Sequence, residues 1–176
     1  MIGDLTGRGE ATTANLTCRR PGTSVAENYL RLFTEPVVEA WIRPEPMNPF
    51  TAADIERMAR RDHSHWEKHG YGPWEVRERE SGAFVGRGGL AWVTVAGEPA
   101  VELPWAVIPS LQGRGYATEM ARAAISTARE AGIERVVSLT LPENRASRRV
   151  MEKAGLGFLD EIRHVGMPHV LYELNL

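Results

Sequence analysis

The sequence predicts a mixed α/β fold, in which about four helices flank a mostly antiparallel sheet of six or seven strands. Two patterns indicate this class. Residues 74–108 contain three strand patterns in a row, joined by short turns, as in an antiparallel meander. Residues 115–174 then alternate helical and strand patterns in a βαβα outline. At 176 residues the chain has the length of one domain, and we expect that domain to span residues 15–176 after a flexible tail over residues 1–14.

The first elements of the domain are expected to be a strand and a helix. Residues 15–20 (Asn-Leu-Thr-Cys-Arg-Arg) can form a short strand. Ser24 and Glu27 resemble a capping box, which predicts a helix from Ser24. Pro36 is expected to end that helix.

A loop, a second helix and the meander come next. Three prolines within residues 43–49 exclude regular structure and predict the loop. Thr51 and Asp54 have capping-box spacing and predict a helix that runs to about Lys68, just before Gly70. The meander strands are predicted over residues 74–77, 84–95 and 100–108.

The C-terminal half carries the clearest helix. Residues 115–130 place apolar side chains on one face, at positions 117, 120, 121, 124, 125 and 128, and Gly132 is the expected stop. Residues 135–141 read as a strand because β-branched residues are frequent and charges few. Asn144 can cap a short helix that ends at Gly155. The closing strands are predicted over residues 156–162 and 169–174.

Composition and charge narrow the functional classes. Lys and Arg total 21 against 23 Asp and Glu, a net charge of −2, so the chain has no electrostatic reason to bind DNA or an anionic membrane. Cys18 is the single cysteine, which excludes an intrachain disulfide and a multi-cysteine zinc site. No apolar run reaches the ~20 residues of a membrane span, and Met1–Asp4 lacks the pattern of a signal peptide. These features predict a cytoplasmic protein.

The most informative segment is a glycine-rich junction between a strand and the amphipathic helix. Gly113 and Gly115 lie where backbone N–H groups and the positive end of the helix converge, so the junction predicts a phosphate or pyrophosphate ligand. A Walker loop would need Gly-Lys followed by Ser or Thr, and a dinucleotide fingerprint would need a third glycine where Thr118 stands. A plain turn into a surface helix is the alternative that the two glycines alone leave open.

Two motifs together resemble one family. Residues Gln112–Ala117 (Gln-Gly-Arg-Gly-Tyr-Ala) match the Gln/Arg-x-x-Gly-x-Gly/Ala signature of the GNAT acyltransferases. About 30 residues later, Glu143–Ser147 and Val150–Phe158 resemble the second GNAT motif in the form typical of the RimJ/RimL branch, the protein N-terminal acetyltransferases and their relatives. The strands upstream also look like the central strands of that branch, so the resemblance covers the chain from about residue 15 to its end.

The resemblance implies acetyl-CoA as co-substrate and no metal. In the family, the strand corresponding to residues 100–108 splays from its parallel neighbour, here 135–141, and the pantetheine arm of the coenzyme fills the gap. Backbone groups of Val107 and Ile108 would pair with this arm. Backbone N–H groups at the helix start would hold the pyrophosphate, and the residues implied are Gln112, Gly113, Arg114, Gly115, Tyr116, Ala117 and Thr118.

The resemblance also implies direct attack of a primary amine on the thioester. Glu102 lies on the strand where several members place the general base, so it is the first candidate, with an ordinary solvent-facing carboxylate as the alternative. Many members protonate the CoA thiolate with a Tyr at the position held here by Met151. Ser147 is therefore the substitute candidate, unless it only caps its helix. Asn144 and Ser147 are also expected to contact the coenzyme or its loop, with helix capping as the alternative role of Asn144.

Cysteine and histidine residues outside these motifs are not expected to form a nucleophile or a metal site. Cys18 has no His near it in sequence, which argues against a nucleophile. Three histidines lie on the second helix. His65 and His69 share one face of it, and His63 lies on another. A metal site would need a third ligand, so a solvated or substrate-facing helix is the expectation.

A basic patch and two tryptophans remain open. Arg145, Arg148 and Arg149 read as a solvated face, although they could neutralise the CoA 3′-phosphate or touch RNA. Trp41 and Trp105 are candidate walls of an acceptor pocket.

These expectations combine into one function and two rivals. The chain is expected to acetylate a protein N-terminal α-amine or a small-molecule amine, with a homodimer as a family-level expectation. A non-catalytic acyl-CoA-binding sensor is the first rival, because Met151 replaces the usual Tyr. A nucleotide phosphate-binding domain is the second.

Overall fold

Residues 9–176 are described by a computed structural model, which contains ten strands in two five-stranded sheets. The first sheet holds β1 (Ala11–Thr12), β2 (Leu16–Arg19), β3 (Pro73–Glu78), β4 (Phe84–Gly89) and β7 (Ala106–Val107), in that order. The second holds, in spatial order, β5 (Ala91–Val95), β6 (Glu98–Glu102), β8 (Arg135–Thr140), β10 (Met167–Asn175) and β9 (Gly157–His164). Every paired neighbour is antiparallel except β6 and β8. The predicted mixed α/β class is confirmed.

Five α-helices occur within the same residues, and the first four cover the two faces of the first sheet. They are α1 (Val25–Phe33), α2 (Pro36–Ile42), α3 (Ala52–His69), α4 (Tyr116–Glu130) and α5 (Arg145–Ala154). The first three form a hydrophobic cluster with Phe84 and Ala106 of the first sheet. From the other face, Met120 of α4 lies against Gly88 of β4. None of the helices in residues 9–176 has the length and apolar character needed to cross a bilayer.

The N-terminal segment joins the first sheet before residue 15. In the antiparallel pairing of β1 with β2, Ala11 lies opposite Cys18. The Glu119 carboxylate on α4 accepts hydrogen bonds from the Thr13 hydroxyl and from the backbone and side chain of Asn15. The first eight positions of the predicted tail lie outside the described residues. In the part that follows, a strand is present instead of the predicted tail. The local sequence does not indicate it, because Glu119, which holds Thr13, is 106 positions away.

Helix α1 begins directly after Ser24 and ends before Pro36 as predicted, but two details at these boundaries differ. Ser24 is the residue before α1, but its side chain makes no capping hydrogen bond, so the predicted capping box is absent. Pro36 does not merely end α1: it is the first residue of α2, a position that proline favours because its missing N–H would be unpaired there anyway. The capping box of Thr51 with Asp54 is confirmed at the start of α3.

Two predicted strands are each split in two, and with the unpredicted β1 this gives ten strands where six or seven were expected. The strand predicted for residues 84–95 breaks at Leu90, where the chain leaves the first sheet for the second. Gly89 allows this turn with φ = 107°, and an added Cβ there would lie 2.6 Å from the Gly72 carbonyl oxygen. The strand predicted for residues 100–108 breaks around Pro104, which has no N–H for a ladder.

The remaining C-terminal predictions are confirmed. The buried positions of α4 follow the predicted stripe, and Met120, Ala124 and Ala128 are fully buried in the main core. The α5 helix begins after Asn144 and ends at Gly155, which adopts the left-handed conformation of a helix C-cap. The predicted strands at residues 135–141, 156–162 and 169–174 correspond to β8, β9 and β10.

Candidate functional site

The two sheets diverge where β6 ends beside β8, because the chain that continues from β6 joins the first sheet. Glu102 is paired with Val137, and the Leu103 N–H donates to the Val137 carbonyl at 2.8 Å. The Ser138 hydroxyl then donates to the Leu103 carbonyl at 3.1 Å. Beyond Leu103 the chain crosses to the first sheet as β7, which pairs with β4 instead of β8. A splayed parallel pair is therefore present, and a gap opens between β7 and β8.

The backbone of β7 presents one residue to this gap. The Ile108 N–H donates to the Val85 carbonyl at 2.9 Å, so the groups of Ile108 on that side are used within the sheet. Because antiparallel strands alternate the direction of their backbone groups, those of Val107 point away from β4 and toward the gap. The Val107 carbonyl accepts from the Gln112 side-chain amide at 3.0 Å. The prediction that both residues offer backbone groups is thus corrected: the Ile108 N–H is already paired.

The glycine-rich loop forms an open cradle at the start of α4. Gly113 and Gly115 have φ values of 78° and 85°, the left-handed region that glycine tolerates best. A Cβ built on either glycine would meet no atom of residues 9–176 within 4 Å, so these residues leave the space beside the loop free for a ligand. The first N–H groups of a helix have no intrahelical acceptor, and the first bond into α4 is from Glu119 N–H to the Gly115 carbonyl. The N–H groups before Glu119 therefore converge on this space.

The position of the cradle is fixed by side chains from the first sheet. The Tyr116 hydroxyl donates to Glu78 at 2.6 Å, and Arg114 lies 4.0 Å from the same carboxylate. Glu119 ties α4 to the segment before β2. Of the predicted loop residues, Gln112 and Tyr116 thus hold the loop through their side chains, and the glycines with Ala117 and Thr118 offer backbone.

A groove of about 570 Å³ adjoins the cradle and runs along α4 to the end of α5. Three basic residues line it, Arg114, Arg122 and Lys153, together with one acidic residue, Glu119, so its lining is net positive. The Arg122 guanidinium also donates to the Lys153 carbonyl at 2.8 Å, which ties α4 to the end of α5. Its positive lining and its position beside unpaired N–H groups suit a phosphate-bearing ligand.

Glu102 lies at the separation point, half-buried on β6. Burial raises the pKa of Glu102 to about 7, and the charges of Arg87 and Arg61 oppose that rise. This environment differs from the solvent-facing alternative, in which the carboxyl group would titrate near its ordinary value. A carboxyl group that titrates near neutral pH can accept a proton from a substrate.

A buried ion pair behind Glu102 was missed by the sequence interpretation. Asp62 of α3 accepts from Arg87 Nε at 2.7 Å and from an Arg87 terminal nitrogen at 2.8 Å, and from the Tyr29 hydroxyl at 3.0 Å. Asp62 is 1% exposed and Arg87 9%. The available signal was an acidic residue within the apolar stripe of α3, between Ala59 and Trp66.

The second motif is arranged around the start of α5. The Asn144 side-chain oxygen accepts from the Ser147 N–H at 3.1 Å, so Asn144 caps the helix and its oxygen is already used. The Ser147 hydroxyl is half-buried and makes no hydrogen bond within residues 9–176. Met151 is fully buried in the main core.

The other candidates have structural environments. Burial raises the pKa of the fully buried Cys18 thiol to about 12, which excludes a thiolate nucleophile at neutral pH. His65 is bonded through both ring nitrogens: Nδ1 lies 2.9 Å from the Tyr71 carbonyl, and Nε2 accepts from the Trp92 N–H at 3.1 Å. The expectation of a solvated or substrate-facing helix is therefore wrong at His65. In residues 9–176, no group of three or more His, Cys, Asp or Glu is placed to hold a metal.

The basic patch and the two tryptophans have different surroundings. Arg148 donates to the Tyr172 hydroxyl at 3.2 Å and to the Pro142 carbonyl at 3.1 Å, so it is a structural residue. Arg145 and Arg149 line a separate shallow cleft of about 290 Å³. Trp105 packs against the main core, whereas Trp41 is 41% exposed on α2.

Comparison with known proteins matches this architecture to one family. Residues 15–157 match the family model described as "Acetyltransferase (GNAT) domain". The uncharacterized protein YkkB of Bacillus subtilis is 28% identical over 136 residues, which cover 74% of this chain and 78% of YkkB.

Solved structures agree on the fold. An acetyltransferase from Agrobacterium tumefaciens strain C58 superposes with a TM-score of 0.80 at 21% identity, covering 95% of this chain and 94% of that one. The microcin C7 self-immunity acetyltransferase MccE, solved in complex with acetyl-CoA and AMP, gives a TM-score of 0.75 at 14% identity and covers 98% of both chains.

Proposed function

Since the chain belongs to the GNAT acetyltransferase family, we propose that it transfers the acetyl group of acetyl-CoA to a primary amine by direct attack, with Glu102 as general base. One observation carries the proposal: the open gap beyond Leu103 is bordered by a carboxyl group whose pKa is about 7 and leads to a cradle of unpaired N–H groups. The acceptor class within this reaction is a small-molecule amine or a protein N-terminal α-amine.

The residues present fit acetyl-CoA. The Val107 N–H faces the gap and is free to pair with the pantetheine arm. The cradle at Gly113 and Gly115 has the empty space and the N–H groups that a pyrophosphate requires. The basic groove beyond it would hold the nucleotide end. Bound acetyl-CoA supplies the thioester carbonyl that the amine attacks.

Glu102 would remove the proton that blocks the amine. An ammonium group has no lone pair, so it must lose a proton before its nitrogen can bond to the carbonyl carbon. Glu102 accepts that proton, directly or through a water molecule, and its pKa near 7 leaves about half of the carboxyl groups ionised at neutral pH. The new C–N bond forms as the C–S bond breaks, which releases CoA as a thiolate.

The nitrogen loses its second proton as the amide forms, and the leaving thiolate takes up one proton, so that the products are the amide and CoA with a free thiol. Met151 occupies the position where many relatives have Tyr and has no proton to give. The Ser147 hydroxyl, one turn earlier on α5, has no partner within the described residues and is the proposed donor of a hydrogen bond to the sulfur. The Asn144 cap fixes that turn of the helix. We expect Ser147→Ala to lower kcat with little effect on coenzyme affinity.

The test measures binding and turnover separately. Calorimetry with acetyl-CoA, ATP and NAD identifies the ligand of the cradle, and a thiol-release assay with a panel of amines and peptides measures turnover. Binding of acetyl-CoA together with amine-dependent thiol release supports the proposal. Binding without thiol release on any acceptor would indicate a coenzyme sensor instead. Binding of ATP or NAD but not acetyl-CoA would indicate a nucleotide site.

A further inference from the structure

One side of α3 lies beside Glu102 and carries charges that the proposed reaction does not use. Asp62 on this helix binds Arg87 of β4. One turn later, His65 accepts a hydrogen bond from the Trp92 N–H. Trp92 follows Ala91, and Ala91 is the residue opposite Glu102 in the β5–β6 pair. The helix is therefore anchored to β4 and to the residue next to the partner of Glu102 on β5.

Arg61 belongs to this anchored part of α3. It precedes Asp62 directly and lies four residues before His65, a spacing that places two side chains on one face, about 6 Å apart along the helix axis. Its charge lowers the pKa of both Glu102 and His65, which agrees with that placement.

The two guanidinium groups near Glu102 differ in availability. Arg87 is buried and its nitrogens are engaged by both oxygens of Asp62. Arg61 is exposed, and within residues 9–176 no carboxylate oxygen lies within 4.0 Å of it. A cationic amine that approaches Glu102 alone would be repelled by this unpaired charge. A negative group on the same molecule would reverse the sign of that interaction.

We propose that Arg61 binds an anionic group of the acceptor, a carboxylate or a phosphate, while the amine of the same molecule reaches Glu102. Arginine suits both anions because its planar fork can donate two parallel hydrogen bonds to them. The preferred acceptors are then amines that carry a negative charge. This inference rests on the proposed function, because it uses Glu102 as the base.

The experiment compares acceptors that differ only in the anion. The pairs are β-alanine with β-alaninamide, phosphoethanolamine with ethanolamine, and two peptides with Asp or Asn as the second residue. Thiol release gives kcat and KM for each pair in the wild type, in Arg61→Gln and in Arg60→Gln. Arg60 is the matched control, since it loses the same charge one position away and is paired with Glu56 on the exposed surface.

The wild type is expected to favour at least one charged partner, and the pair with the largest preference identifies the source of the anion. Arg61→Gln should raise the KM of that acceptor about 10- to 100-fold, as for a lost hydrogen bond to a charged group. It should not raise the KM of the neutral partner, because that acceptor has no anion for Arg61 to bind and loses only the repulsion, and Arg60→Gln should behave as the wild type.

Three results overturn the inference. Equal turnover of charged and neutral partners by the wild type excludes an anion site but leaves the proposed function intact. A loss in Arg61→Gln that is the same for both partners, with a shifted pH profile, shows that Arg61 only adjusts the pKa of Glu102. Absence of thiol release with every amine in the wild type refutes the proposed function, and this inference with it.

Discussion

Replacement of Glu102 by Gln tests the proposed base through its pH dependence. Glutamine keeps the shape of the side chain and removes the group that accepts the proton. A lost general base typically costs about 10²-fold in turnover or more. The pKa of about 7 further predicts how the loss depends on pH. The ionised fraction is about one-tenth at pH 6, one-half at pH 7 and nine-tenths at pH 8.

The assay is the ratio of wild-type to variant kcat/KM on one acceptor between pH 5.5 and 9. The titration of the amine is common to both proteins and cancels in the ratio. We expect this ratio to rise about tenfold from pH 6 to pH 8 and then to level off, because only the wild type gains a base. Acetyl-CoA affinity, measured by calorimetry, should be unchanged, since Glu102 lies outside the cradle.

Two outcomes would refute this assignment. A ratio near one at every pH means that Glu102 does not take the proton. A large ratio that does not vary with pH means that the variant lost activity through altered structure or altered acceptor binding. Thermal unfolding of both proteins, with acetyl-CoA bound, separates a structural defect from a chemical one.

Three further predictions concern the cradle and the stability of the fold. Gly115→Val should abolish acetyl-CoA binding in calorimetry, because its side chain fills the open space. The control Gly132→Val is equally strained at φ = 73° but lies at the far end of α4, so it should retain binding. Equal loss in both variants would contradict a phosphate cradle. Asp62→Asn should lower the free energy of unfolding by about 3–5 kcal/mol in urea titrations, because it leaves the buried Arg87 charge without compensation, and a change below about 1 kcal/mol would contradict this. Burial lowers the pKa of His65 from its ordinary 6.5. The stabilisation of the folded state by neutral His65 is therefore fully present above pH 6.5 and is lost as the pH falls from there toward the folded-state pKa. The stability difference between wild type and His65→Gln, measured in urea, should be smaller at pH 5.5 than at pH 8, and a constant difference would contradict this prediction.

Signals that act between near neighbours allowed much of the C-terminal half to be predicted. The cradle follows from two glycines directly before an amphipathic helix, and the α5 start follows from Asn144, whose side chain reaches a backbone group three residues away. Pro36 shows the limit of such signals. A proline can end one helix or begin another. Which of the two occurs depends on whether the side chains after the proline can be buried.

The buried ion pair behind Glu102 could not be predicted because its residues are brought together only by the tertiary fold. Asp62 and Arg87 are 25 positions apart in the chain and meet across a helix and a strand. Two predicted strands are interrupted, at Leu90 and at Pro104, because the two halves of each strand pair with partners in different sheets. A strand pattern with period two looks the same whether the strand continues in one sheet or crosses to another.

The crossing from β6 to β7 explains how Glu102 and Val107 keep fixed positions relative to each other. Glu102 is held by its pairing with Ala91 and Val137, and five residues later Val107 is held against Gly86. Gly86 has no room for a side chain, because a Cβ would lie 2.0 Å from the Ala106 carbonyl oxygen, so β4 and β7 approach closely. The base and the backbone N–H proposed for the pantetheine arm therefore lie on one short chain segment anchored at both ends. Substitution of Gly86 by Ala would push β7 toward the gap, and should weaken acetyl-CoA binding without altering the pKa of Glu102; unchanged affinity in calorimetry would show that the gap does not receive the coenzyme.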